Sequence, residues 1–129
     1  MTAEELLAMA QKVRQNAHSP YSKYQVGAAL LAKDGRVFVG CNVENSSYGL
    51  TICAERTAAV SAVAAGAKEF LALAVVTENG GSLCGACRQF MAEFGTEIEV
   101  YLGEPDGTFR TTSIGDLLPD HFGPGNLGQ

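Results

Sequence analysis

Residues 53–76 run CAERTAAVSAVAAGAKEFLALAVV, an alanine-rich segment, a glycine and then an unbroken apolar run. Cys53 to Ala65 is expected to be helical. Its apolar residues (Ala54, Ala58, Ala59, Val60, Ala62, Val63, Ala64, Ala65) fall on nearly every side. Such a helix is buried all round, or it packs on a partner subunit. Gly66 stops it. Phe70 to Val76 is a short continuous apolar run, consistent with a central strand covered on both faces. A sheet covered on both faces needs helices above and below it.

The flanking sequence supplies the other elements. Thr2 and Glu5 have capping-box spacing ahead of the periodic residues Leu6, Leu7, Ala10 and Val13, so a first helix is expected from there to about Asn16. Ser19-Pro20 breaks it. Tyr24 to Ala32 and Arg36 to Glu44 read as antiparallel strands joined at Asp34-Gly35. Asn45 to Leu50 is polar and reads as loop. Beyond the central strand, Asn79-Gly80-Gly81 is a turn and Cys84 to Phe94 a helix closed by Gly95. Strands are expected at Ile98 to Leu102 and Phe109 to Thr112, paired antiparallel across Pro105-Asp106-Gly107. Ile114 to Leu118 is a short helix before Pro119, and Gly123 to Gln129 a glycine-rich tail. The expectation is a single α/β domain over residues 1–129, a three-layer α/β/α sandwich with a five-stranded mixed sheet.

Composition narrows the function classes. A chain of 129 residues, 47% hydrophobic and 18% charged, supports a packed core and argues against disorder. Fourteen acidic against 9 basic residues give a net charge of −5, which disfavours binding to a polynucleotide backbone. No apolar stretch approaches the ~18–20 residues that span a bilayer, so a membrane location is not expected. Met1 to Ala10 carries Glu4 and Glu5 and does not read as a signal peptide. With 4 cysteines, two of them in Cys84-Gly85-Ala86-Cys87, a reduced, cytoplasmic location and a metal or redox role are expected.

The chemistry gathers around three cysteines. Cys84 and Cys87 share one helix face, and Cys53 opens another helix 31 positions earlier. One helix, one strand and one turn fill that interval and bring both helix N-termini to one end of the sheet. Helix N-termini favour thiolate over thiol. Three protein ligands and an open fourth position for water are the pattern of catalytic zinc. Glu55 lies about 200° around the helix from Cys53, so it meets that water only off the helix end. There it is beside the metal, not on it, and placed for proton transfer. A divalent cation with three thiolates carries excess negative charge, and the adjacent Arg56 is expected to offset it by hydrogen-bonding the sulfurs. Alone, C-x-x-C also fits structural zinc, a redox dithiol or chance. A structural site recruiting Cys41 stays open, although it leaves Glu55 and Arg56 unexplained. Cys41 reads better as a small buried residue.

Cys53-Ala54-Glu55 followed by Cys84-Gly85-Ala86-Cys87-Arg88-Gln89 resembles the zinc nucleoside deaminases, and within them the short, homotetrameric cytidine deaminases. Pro20-Tyr21-Ser22, Val26-Gly27-Ala28, Gly40-Cys41-Asn42-Val43-Glu44-Asn45 and Leu117-Leu118-Pro119 extend the likeness along nearly the whole chain. The resemblance implies zinc on Cys53, Cys84 and Cys87, and Glu55 as proton shuttle. It implies Asn42 and Glu44 on the ribose hydroxyls, backbone groups near Ala54 and Ser82 on the pyrimidine edge, and Tyr24, where the family usually has Phe, facing the base. It also implies a homotetramer with shared active sites, Phe122 reaching a neighbour's pocket. Leu83 stands where the family usually has proline. The implied reaction is hydrolytic deamination of cytidine and deoxycytidine in pyrimidine salvage, with water as co-substrate. Deamination of another aminopyrimidine nucleoside, such as a nucleoside antibiotic, and a non-catalytic zinc or dithiol module are the rival readings.

Overall fold

The computed structural model describes residues 1–128. Helix α1 (Ala3–Arg14) is followed by β1 (Gly27–Ala32), β2 (Val37–Cys41), α2 (Ala54–Ala64), β3 (Phe70–Val76), α3 (Gly85–Ala92), β4 (Glu99–Gly103), β5 (Phe109–Ser113) and α4 (Ile114–Leu117). The strands form one five-stranded sheet in the order β2-β1-β3-β4-β5. Only β3 and β4 are parallel; the other neighbours are antiparallel, including β4 and β5. This is the α/β/α arrangement with a mixed sheet expected from the sequence.

Strand alternation divides the core into two layers. Ala28, Leu30, Ala32, Leu73 and Val75 face α2, α3 and α4. Ala29, Ala72, Ala74 and Val76 face Leu6, Leu7 and Ala10 of α1. Successive side chains on a strand point to opposite faces, so one apolar run such as Phe70–Val76 feeds both layers. The capping box is formed: Glu5 N–H donates to Thr2 Oγ1 at 3.1 Å, and Thr2 N–H donates to Glu5 Oε1 at 2.9 Å.

The edges of several elements differ from the sequence expectation. Tyr24 to Val26 are not in β1, because the Asn42 side chain takes their backbone groups. Val26 N–H donates to Asn42 Oδ1 at 2.9 Å, and Asn42 Nδ2 donates to the Tyr24 carbonyl at 2.8 Å. Beyond Cys41 the chain leaves β2, and Val43 bridges instead to His18 and Ile52. Cys53 and Cys84 are not the first residues of their helices but the capping residues just before them, both with extended backbone. Short 3-10 turns occupy Tyr48–Leu50 and Pro124–Leu127. Helix α2 is not buried all round: Ala54, Ala58, Ala59 and Ala62 are covered, while Val60 is 49% exposed.

One close approach sets the position of α2. A Cβ built on Gly40 of β2 would stand 2.5 Å from the Ala58 nitrogen and 2.6 Å from the Ala54 carbonyl oxygen. The helix backbone therefore lies on the strand, at a distance only glycine permits. Gly40→Ala should lower stability by about 1–3 kcal/mol, the usual cost of overpacking. Urea unfolding checks this; an unchanged midpoint would mean that α2 can shift at no cost.

Candidate active site and metal centre

The connection α2–β3–α3 brings two helix N-termini to one end of the sheet. Cys53 caps α2, Cys84 caps α3, and Cys87 lies in the first turn of α3. Neither capping sulfur makes a capping hydrogen bond, so both are free to turn toward each other. The sulfurs of Cys53, Cys84 and Cys87 all lie within 4.8 Å of one another. The Cys53 and Cys84 sulfurs are 3.9 Å apart. Zn–S bonds of about 2.3 Å at tetrahedral angles need S···S separations of ~3.8 Å, so the donor set fits zinc. Cys41 is outside this cluster and half-buried, where burial pushes its thiol above the ordinary range.

Charge is distributed unevenly over the cluster. The Cys53 thiol is lowered to about 5, chiefly by the hydrogen bond from Cys87 and further by the Arg56 guanidinium. Cys87 is fully buried and shifts the opposite way, holding its proton for the Cys53 sulfur. Arg56 Nη2 donates to Cys53 Sγ at 3.6 Å, and Arg56 Nε is buried without a hydrogen-bond partner among the described residues. Glu55, in the first turn of α2, is 4% exposed, and burial pushes its carboxyl up to about 7. A carboxyl held there exchanges protons near neutral pH, the property of a general acid–base group.

A cleft of about 250 Å³ opens over this cluster. Tyr24, Asn42, Glu44, Ala54, Glu55 and the metal-cluster residues Cys53 and Cys84 line it, with Ser82 from the loop before α3. None of the lining side chains is cationic. Glu44 accepts from the Tyr21 and Ser22 N–H groups at 3.0 and 3.1 Å and from the Ser22 hydroxyl. The Ser22 hydroxyl first, then these backbone donors, hold its carboxyl below the usual range. Leu83 is buried in the core, and its carbonyl accepts from Arg88 Nε at 2.8 Å. Side-chain burial and this bond thus hold the chain before Cys84. Phe122 is apart from the cleft, 57% exposed, with its carbonyl accepting from Gln89 Nε2 at 2.8 Å.

Sequence reasoning did not single out Thr51, Val75 and Thr77, which also line the cleft. Val75 and Thr77 carry a legible signal, since they lie at and just beyond the end of β3, the strand that points at the cluster. Thr51 carries none, because its loop has no periodicity.

The α/β/α fold and the thiol cluster together define a zinc-binding α/β protein. Residues 1–103 match the family model described as the cytidine and deoxycytidylate deaminase zinc-binding region. The chain belongs to this family, and zinc is its cofactor. A cytidine deaminase of Sporosarcina psychrophila is 49% identical over 98% of this chain and 96% of its own length. One of Halalkalibacterium halodurans is 46% identical over 95% of each. The crystal structure of cytidine deaminase from Burkholderia pseudomallei superposes with a TM-score of 0.91 at 54% identity, covering 95% of this chain and 100% of that one.

The raised Glu55 carboxyl has a consequence for the metal-free protein. A carboxyl with a raised folded pKa favours folding only while protonated. That advantage is complete below the ordinary glutamate value of 4.5 and is lost as pH rises through about 7. Between pH 4 and pH 8.5, Glu55→Gln should therefore gain about 3 kcal/mol relative to the parent in chelator-treated samples. Urea unfolding at both pH values measures it. A pH-independent difference would place Glu55 in solvent.

Proposed function

We propose that this chain is a cytidine deaminase, converting cytidine and deoxycytidine with water to uridine and deoxyuridine with release of ammonia. The observation that carries the reading is a three-thiol cluster and a buried glutamate at one cleft, lined by Cys53, Cys84 and Glu55, whose wall also carries Asn42 and Glu44. In this reading Cys53, Cys84 and Cys87 hold zinc, which when bound supplies the Lewis acidity that makes water reactive at neutral pH. Arg56 offsets the thiolate charge. Glu55 takes a proton from the water as the water oxygen bonds to the amino-bearing ring carbon, and passes that proton to the adjacent ring nitrogen. It then moves the remaining proton of the new hydroxyl to the amino group, and the C–N bond breaks to release ammonia. Burial raises the Glu55 carboxyl above the ordinary glutamate range, the direction that suits both the uptake and the return of a proton near neutral pH.

Asn42 and Glu44 are assigned to the ribose hydroxyls, Tyr24 to the face of the base, and backbone groups at Ala54 and Ser82 to the pyrimidine edge. Asn42 keeps spare capacity for this, because an amide offers four hydrogen-bonding positions and the protein uses two of them here. A cleft with acidic and no cationic lining favours a free nucleoside over a 5′-phosphorylated one, which needs a positive partner. It also agrees with the net charge of −5 in disfavouring polynucleotides.

The homotetramer is part of the proposal. The cleft, at about 250 Å³, is smaller than most ligand pockets, about 300–1,000 Å³, which suits completion by a second chain. Tyr48, Leu50, Ile52 and Val60 are exposed apolar side chains on α2 and the segment leading into it, and Phe122 is another. Phe122 is assigned to a neighbour's site. Among the described residues no helix is long and apolar enough to cross a membrane. A cytoplasmic role in pyrimidine salvage fits three cysteines that must stay reduced to bind zinc.

Loss of cytidine absorbance, with and without chelator, tests the activity. Glu55→Gln should retain zinc and lose at least ~10²–10⁴-fold in turnover. Alanine at Cys53, Cys84 or Cys87 should lower zinc content and activity together, while Cys41→Ala lowers neither. Near-parental turnover in Glu55→Gln, or zinc lost at Cys41 and kept at Cys53, contradicts the assignments.

Sedimentation and kinetics test the assembly. Phe122→Ala should weaken nucleoside binding about tenfold with its melting temperature unchanged, the worth of one aromatic stacked on a base. A fully active monomer would refute the shared site.

A further inference from the structure

A side-chain bridge ties the loop between β3 and α3 to Tyr24, another lining residue of the cleft. The Tyr24 hydroxyl donates to Asn79 Oδ1 at 2.7 Å, joining residues 55 positions apart. The same oxygen accepts from Gly81 N–H at 3.3 Å and, more weakly, from the Thr77 hydroxyl at 3.4 Å. Gly81 N–H also donates to Thr77 Oγ1 at 2.8 Å. Asn79 thus closes its own loop and fastens that loop to Tyr24.

The backbone is shaped around this bridge. Gly80 has φ +72°, in the left-handed region. A Cβ on Gly81 would stand 2.8 Å from the Tyr24 hydroxyl and push the phenol off its partner. Tyr24 and Thr77 both line the cleft, and Thr77 is 3% exposed. The loop they bracket carries Ser82 and leads directly to Cys84. Asn79 itself does not line the cleft.

We propose that Asn79 is a positioning residue: through the Tyr24 hydroxyl it latches the β3–α3 loop to the Tyr24 wall and fixes the width of the cleft for the nucleoside ring. This rests on the reading of the cleft as a nucleoside site. The latch is exposed, where one neutral hydrogen bond contributes little to folding. Its effect falls on binding, because a loop already held in place loses less freedom when the ligand arrives. Tyr24→Phe keeps the ring and removes only the donor. Asn79→Ala removes the acceptor, and Asn79→Asp keeps one.

The test uses zinc-loaded parent, Tyr24→Phe, Asn79→Ala, the double variant and Asn79→Asp. Steady-state kinetics with cytidine are paired with calorimetric binding of uridine and with thermal melting. Tyr24→Phe and Asn79→Ala should each raise KM and the uridine Kd about 3- to 10-fold, the worth of one neutral hydrogen bond, with kcat within about twofold. The double variant should be no worse than the weaker-binding single one, since both remove the same bond. Asn79→Asp should restore binding. Effects that multiply in the double variant, a loss confined to kcat, or unchanged KM and Kd in an active parent overturn the latch and leave the deaminase reading intact. A zinc-loaded parent that releases no ammonia overturns the deaminase reading and the latch with it.

Discussion

The absence of a side chain at Gly40 governs where everything else can stand. Helix α2 rests its backbone on that position of β2, with Ala54 and Ala58 meeting the strand. Interlocking alanines and a glycine allow a spacing that larger residues would prevent. That contact fixes the start of α2, and with it Cys53 at the cap and Glu55 in the first turn. The central strand β3 then delivers the chain to the start of α3 at the same end of the sheet. The thiol cluster follows from two helices held in one register by a strand between them. No dedicated loop is needed to gather the sulfurs.

The same geometry explains the electrostatics. Helix N-termini present unpaired N–H groups and favour negative charge, which suits the thiolates. Glu55 faces the interior instead, where burial outweighs the local donors and raises its carboxyl to about 7. Two acidic groups that belong to one helical turn therefore shift in opposite directions: Cys53 to about 5 and Glu55 to about 7. In the proposed mechanism these divergent shifts match a metal-binding role for Cys53 and a proton-moving role for Glu55. Arg56, in the same turn, sides with the sulfur through its 3.6 Å contact.

Much of this was legible in the sequence, for local reasons. Cys53, Glu55, Cys84 and Cys87 stand close in sequence to helix starts, and helix phase places them with little tertiary information. The run Phe70–Val76 announced a central strand because alternate residues must satisfy two cores. What could not be read depended on distant partners. Tyr24 to Val26 look like strand residues, yet the Asn42 side chain takes their backbone groups and ends the ladder early. The alanine-rich helix suggested burial all round or packing on a partner subunit; within one chain only one side is covered and Val60 is exposed. The Tyr24–Asn79 bridge crosses 55 residues and has no periodic signature. Phe122 was expected to reach a neighbour's pocket, a contact between subunits; within its own chain the ring stands apart from the cleft.

The central claim is that Cys53, Cys84 and Cys87, and no fourth cysteine, hold a zinc that keeps one position open for water. X-ray absorption at the zinc edge of the stoichiometrically loaded protein addresses it directly. The account predicts three sulfur neighbours at about 2.3 Å and one oxygen or nitrogen at about 2.0 Å. Four sulfurs, drawing in Cys41 and closing the site, or fewer than three, would contradict it.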